Sequence, residues 1–159
     1  MDVVGIGPCT FDIMISLPEL PTGDHPVRLE DVLFDGGGSC STALCSAARL
    51  GAKVCLIATA GNDWFADYKL KTMTDLGGDI SHVLYRDGKE NQVVCVNVDG
   101  KTGERIFNLS WDFYRYPVLS DELDHDFITS AEYLLLDGHY LEASIQAARW
   151  MQEAGKKDA

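Results

Sequence analysis

Gly36-Gly37-Gly38-Ser39-Cys40-Ser41-Thr42-Ala43-Leu44-Cys45-Ser46-Ala47-Ala48-Arg49-Leu50-Gly51-Ala52 decides how this chain folds. A glycine triple leads into a run of small side chains, the run ends on Gly51, and an apolar stretch follows at residues 54–61. Glycines without Cβ atoms let backbone N–H groups come close to a ligand, and a helix start adds unpaired donors and a positive dipole end. Small residues let such a helix lie tightly against a sheet. The pattern predicts a glycine loop, a helix over residues 41–50 and a buried strand over 54–61, the build of a ligand-cradling loop. On these residues alone the glycines serve equally well as a turn for helix–strand packing.

Working outward, the alternation recurs. Val3-Val4-Gly5-Ile6-Gly7 and Tyr133-Leu134-Leu135-Leu136-Asp137-Gly138 are continuous apolar runs bounded by glycine, as parallel strands covered on both faces require. Helices are predicted over residues 63–76, with Asp63 as N-cap and Gly77-Gly78 as the stop, over 120–130, and over 141–153. Strands alternating with helices argue for an α/β layer fold with a parallel central sheet.

Two excursions, at about residues 11–34 and 92–111, interrupt that alternation. Phe11, Ile13, Ile15 and Leu17 alternate with Asp12, Met14 and Ser16, and a turn is expected at 18–26. Val94, Val96 and Val98 repeat the pattern before a turn at Asp99-Gly100-Lys101-Thr102-Gly103. Period-two alternation with glycine turns predicts two hairpin-like pieces, which together form a small β-sheet lid over a pocket. After residue 153 the chain reads Ala154-Gly155-Lys156-Lys157-Asp158-Ala159. A helix ending this way normally feeds another parallel strand, so the third strand's neighbour is expected to be missing and the fold cut short.

Composition narrows the function. Twenty-five acidic against 13 basic residues give a formal charge of -12, which disfavours nucleic acid or an anionic membrane as partner. No apolar run approaches the roughly 20 residues of a membrane span, and the opening residues lack the pattern of a signal peptide. Five cysteines with no C-x-x-C spacing read as free thiols in a reducing cytoplasm, and no metal site is expected.

The ordered set of features resembles the N-terminal signature of the ribokinase/PfkB carbohydrate kinases. The glycine loop, the small-residue helix, Gly51, the apolar strand and Ala60-Gly61-Asn62-Asp63 carry the resemblance. Asp12 beyond the first strand, the lid excursions, Gly77-Gly78-Asp79-Ile80 and the Leu134-Leu135-Leu136-Asp137-Gly138 strand support it. The resemblance implies a ribokinase-like three-layer α/β/α fold, with this chain matching the first half of longer relatives. It also implies that Asp12 and Thr10 face the sugar, that Gly37 and Gly38 offer backbone contacts, that Thr42 stands where many members carry Asn, and that Asp137 lies at the pocket's far wall. Val96 and Arg105 are the lid residues it places over the substrate. Ala66 departs from the glycine commoner in the family.

Taken singly, these residues have plainer readings. Asp12 suits an exposed strand face, Asp137 could cap the helix that follows it, and His139 reads as a surface residue. Cys9 and Cys40 read as small packing residues.

Phosphoryl transfer needs a base, donors for the transferring group, Mg²⁺ and in-line positioning. By resemblance the base and anion-binding loop belong to a Gly-Ala-Gly-Asp motif in the family's second half, which this sequence lacks. There is no Walker-type loop, and Gly5-x-Gly7 fails as a dinucleotide fingerprint because position 10 is Thr. The reading is therefore the sugar-binding half of an ATP-dependent carbohydrate kinase, with ATP and Mg²⁺ as cofactors of the full-length enzyme and neither expected to bind this chain well. A non-catalytic sugar-binding or dimerisation module, pairing through the lid strands, is the alternative. An unrelated nucleotide-binding domain is disfavoured by the missing phosphate loop.

Overall fold

The computed structural model describes residues 1–23 and 25–158. Asp24, within the expected turn at 18–26, and Ala159 lie outside the described residues. In chain order the elements are β1 (Val3–Ile6), β2 (Thr10–Leu17), β3 (Asp31–Gly37), α1 (Ser39–Arg49), β4 (Val54–Ile57), β5 (Thr59–Ala60), α2 (Trp64–Asp75), β6 (Leu84–Tyr85), β7 (Val93–Asp99), β8 (Arg105–Leu109), α3 (His125–Ser130), β9 (Tyr133–Leu136), α4 (Leu141–Glu153) and β10 (Lys157–Asp158).

The central sheet runs β10-β9-β1-β4 with every neighbour parallel. Because side chains alternate along a strand, each apolar run supplies two cores. Val4, Ile6, Cys55, Ile57 and Leu134 pack with Ile128 of α3 and with Ala143, Ala147 and Met151 of α4. Val54 and Leu56 pack with Leu44 of α1 and with Ala66, Leu70 and Met73 of α2. Three layers result. At Gly5 a Cβ would come within 2.6 Å of Leu44 and 2.7 Å of the Cys40 thiol, so this glycine sets how closely α1 lies on β1.

Local signals place the helix ends. The Asp63 carboxylate accepts the Ala66 N–H at 3.2 Å and caps α2. Gly51 and Gly77 follow α1 and α2 with φ of +98° and +90°, a conformation that costs other residues.

Four expectations are corrected. The glycine-loop helix begins at Ser39, two residues ahead of the expected start at 41, because Gly38 takes the N-cap position. Residues 54–61 are two strands: Ala58 ends the run in the central sheet, and β5 pairs with β6 instead. Residues 120–130 are a 3₁₀ turn at Ser120–Glu122 followed by α3, because Leu123 is extended and Asp124 caps a new helix, accepting the Phe127 N–H at 3.0 Å. The third strand does have its neighbour, since Lys157 and Asp158 pair in parallel with Tyr133 and Leu134.

The two excursions join into one sheet of order β3-β2-β7-β8. The β2–β3 and β7–β8 pairs are antiparallel, and β2 and β7 run parallel. Phe11 anchors this sheet on α2: its ring lies 4.9–5.6 Å, between centroids, from those of Phe34, Trp64, Phe65 and Tyr68. The Tyr68 hydroxyl donates to the Phe34 carbonyl at 3.0 Å and ties β3 to the same helix.

Candidate functional site

Thr10 and Asp12 sit two residues apart on β2 and so share a face, opposite to Phe11. The Thr10 hydroxyl donates to Asp12 Oδ1 at 2.6 Å. Asp12 Oδ2 lies directly over Gly37, where a Cβ would be 2.2 Å from it. Strand pairing makes this contact, because Thr10 opposes Gly37 and Asp12 opposes Asp35. The half-buried Asp12 carboxyl is held above its ordinary value, chiefly by burial, with Asp35 adding to the rise and the Thr10 hydroxyl opposing it.

Asp137 leaves β9 at its carboxyl end and reaches the start of α1. Its Oδ2 accepts the Ser39 hydroxyl at 2.7 Å and the Cys40 N–H at 3.2 Å, and its Oδ1 accepts the His139 N–H at 3.2 Å. A Cβ on Gly7 would sit 2.4 Å from Asp137 Oδ2, so that glycine makes room for the carboxylate. Asp137 thus caps the helix that starts 98 residues earlier. The donors expected at the helix start are in part already taken.

Gly38 has φ +100°, and a Cβ there would be 2.3 Å from the Pro8 carbonyl. Ser41 donates its hydroxyl to the carbonyls of Gly37 and Gly38, which fixes the loop from below. Thr42 is exposed and lines a groove of about 230 Å³ between α1 and α2, together with Gly37, Asp35, Cys45, Arg49 and Lys69. Asp12 and Asp137 do not line that groove. The structure therefore brings Thr10, Asp12 and Gly37 together, places Asp137 beside Ser39 and Cys40, and sets Thr42 on the flank of Gly37 facing α2.

The face of the β3-β2-β7-β8 sheet that carries Asp12 also carries Val94, Val96 and Met14, which pack with Phe113. Next to Phe113, the Tyr114 ring stacks on His139 at 6.0 Å between centroids, so this face overlooks the Asp137 loop. Val96 is buried in that cluster. Arg105 is exposed on the same face, its guanidinium 5.9 Å from the Phe107 ring centre.

Sequence reasoning missed a buried polar chain behind the site. Lys69 Nζ contacts Glu90 Oε2 at 2.7 Å and donates to the Thr59 carbonyl at 3.2 Å and to Gln92 Oε1 at 3.3 Å. Gln92 donates to the Tyr140 hydroxyl at 2.6 Å. Three polar residues, Glu90-Asn91-Gln92, directly ahead of an apolar strand were the available signal. The cysteines beside the site are poor nucleophiles, because burial pushes the Cys9 thiol up to about 11 and the Cys40 thiol further still.

The profile of the pfkB family carbohydrate kinases matches residues 2–159. The chain belongs to this family. No curated protein sequence matches it. Among solved structures it is similar to a putative ribokinase from Agrobacterium tumefaciens, with TM-score 0.84 and 20% identity over 98% of this chain and 50% of that one. It is similar to Arabidopsis thaliana ribokinase complexed with ribose and ATP, with TM-score 0.81 and 18% identity over 99% and 52% of the two chains. A putative ribokinase II from E. coli in complex with ATP and Mg²⁺ matches with TM-score 0.75 and 18% identity over 99% and 51%. The fold is ribokinase-like, and the chain spans about half the length of these structures.

At the glycine loop and the start of α1 the residues present do not fit the phosphates of a nucleoside triphosphate. The space above Gly37 holds the Asp12 carboxylate and the start of α1 holds that of Asp137, so both loop positions present acceptors where phosphate needs donors. Among the described residues no group of three His, Cys, Asp or Glu side chains could hold a metal ion. No helix of the described residues is long and apolar enough to cross a membrane.

Proposed function

We propose that this chain forms the substrate-holding half of an ATP-dependent kinase that phosphorylates a hydroxyl of a small sugar or related polyol. The observation that carries the reading is the Asp12 carboxylate poised over Gly37. An ionised carboxylate accepts several hydroxyl donors at once, and one of its oxygens is already oriented by Thr10. Gly37 and Gly38 add close main-chain approach. Asp137, largely satisfied by its own contacts, holds the loop in shape and offers a remaining lone pair. The lid, with Val96 on its inner face and Arg105 near its rim, closes the space above and excludes water. ATP, bound in the Arabidopsis and E. coli structures named above, and Mg²⁺, bound in the latter, belong to the activity of a complete enzyme, and this chain by itself is not expected to transfer phosphate. Free thiols at all five cysteines suit a reducing compartment such as the cytoplasm.

Calorimetric titration of the chain with neutral pentoses, hexoses and nucleosides tests the reading. Binding of at least one of them, lost in Asp12→Asn, is the expected result; no binding by any overturns it. Phosphorylation of a sugar by the pure chain with ATP overturns the statement about inactivity.

A second reading, a sugar-binding module that pairs through its lid, draws on the opposite lid face. Val32, Phe34 and Ile106 are exposed there at 42–46%. Light scattering that gives twice the chain mass supports a homodimer, and the monomer mass removes it.

A further inference from the structure

Strand register sorts the lid's inner face into three rows, since residues directly opposite one another share a face. The row nearest the glycine loop reads Asp35, Asp12, Val94 and Leu109. The next reads Leu33, Met14, Val96 and Phe107, and the third Asp31, Ser16, Val98 and Arg105. A second carboxylate, Asp35, thus stands beside Asp12 at the glycine loop. It is exposed, with its Oδ1 accepting the Gly36 N–H at 2.8 Å, and its charge adds to the upward push on the Asp12 carboxyl. Asp137 supplies a third carboxylate at the start of α1.

Among the described residues the nearest row holds no cation; Arg49 of α1 lines the groove on the flank of Asp35 and Gly37 that faces α2, which Asp12 does not line. Arg105 is two rows away, four residues or about 13 Å along a strand at the ordinary rise, and is laid over Phe107. Arg115, in the loop below, is folded over the Tyr116 ring at 5.2 Å. Lys69 is buried against Glu90.

We infer that Asp35 makes this site selective for an uncharged polyhydroxy ligand over its phosphorylated counterpart. The inference rests on the sugar-holding reading above. A sugar phosphate brings about two negative charges beside Asp12 and Asp35 with no cation in either near row, whereas hydroxyl donors meet acceptors there. Repulsion between groups this exposed weakens with salt.

The test compares ribose with ribose 5-phosphate, and fructose with fructose 6-phosphate, by calorimetric titration of the chain. The neutral sugar of the pair that binds is expected to bind at least about tenfold more tightly, a gap that shrinks between low and physiological salt. Asp35→Asn is expected to narrow the gap several-fold by strengthening phosphosugar binding. Asp31→Asn, on the same face but in the far row, is expected to leave it unchanged. Equal binding of both members, or equal effects of the two substitutions, overturns the inference and leaves the sugar-holding reading intact. Absence of binding by every sugar overturns both.

Discussion

Lys69 Nζ lies 2.7 Å from Glu90 Oε2, with both side chains completely shielded from solvent. The ammonium donates further to Thr59 and Gln92, while the carboxylate accepts the N–H groups of Gly61 and Gln92 at 3.0 Å and 2.7 Å. Removing one member of such a pair strands the other charge without water. Lys69→Met is therefore expected to lower unfolding free energy by about 3–5 kcal/mol in urea titrations. Adding Glu90→Gln to that variant should recover part of the loss. A cost below about 1 kcal/mol for the single change would contradict this account.

Neighbouring glycines should respond differently to alanine. At Gly37 the new methyl meets a side chain, the Asp12 carboxylate, and pushes it from its place. At Gly38 it meets the Pro8 main chain in a conformation of φ +100°. Gly37→Ala should chiefly abolish sugar binding, whereas Gly38→Ala should cost about 1–3 kcal/mol of stability as well. Paired denaturation and binding curves separate the two.

Two carboxyls give opposite pH signatures. Asp12 is held above its ordinary value by burial, so the folded state retains its proton more firmly than the unfolded chain. Its contribution to stability falls as pH rises through the folded value, and Asp12→Asn should stabilise the chain at neutral pH, with the gain vanishing in acid. Glu122 is held below its ordinary value, first by hydrogen bonds from Arg86, whose guanidinium meets both its oxygens at 2.6 Å. Its contribution is present above the unfolded carboxylate range and is lost as pH falls through the lower folded value. Glu122→Gln should cost about 1 kcal/mol at neutral pH and nothing in strong acid. Denaturation series across pH check both.

Thiol labelling should be slow at three of the five cysteines. Burial pushes Cys9 and Cys55 up to about 11, and Cys40 is raised most of all. At pH 8 a chromogenic disulfide should label Cys9, Cys40 and Cys55 only after unfolding. Rapid native labelling of Cys40, read by mass spectrometry, would contradict its burial under Gly5 and Gly7.

Much of the layered fold was open to reading because its signals are local. The bounds of α4 follow from apolar spacing and the glycine beyond it, and Asp63 caps α2 as its position suggests. The breaks were not legible, since nothing in the apolar run 54–61 marks Ala58 as the point where the chain leaves one sheet for another. Nor does the sequence separate Lys69, fully buried, from Lys71, exposed two residues later; only the arrival of Glu90 from beyond α2 distinguishes them. At the site, Asp12 and Gly37 could be named individually, but the contact between them depends on strand register. The role of Asp137 as a cap for α1 depends on two segments that meet only after the sheet has formed.

The four rings around Phe11 bear on how the small sheet can move. They clamp the inner ends of β2 and β3 to α2, and the Tyr68 hydroxyl bolts β3 at Phe34, just before the glycines, to the same helix. A rigid swing of the whole sheet would have to pull those rings apart. On the sugar-holding reading proposed above, closure is then a bend of the outer half, with Phe107 and Arg105 travelling farthest while Asp12 hardly shifts, like the tip of a leaf spring whose root is fixed.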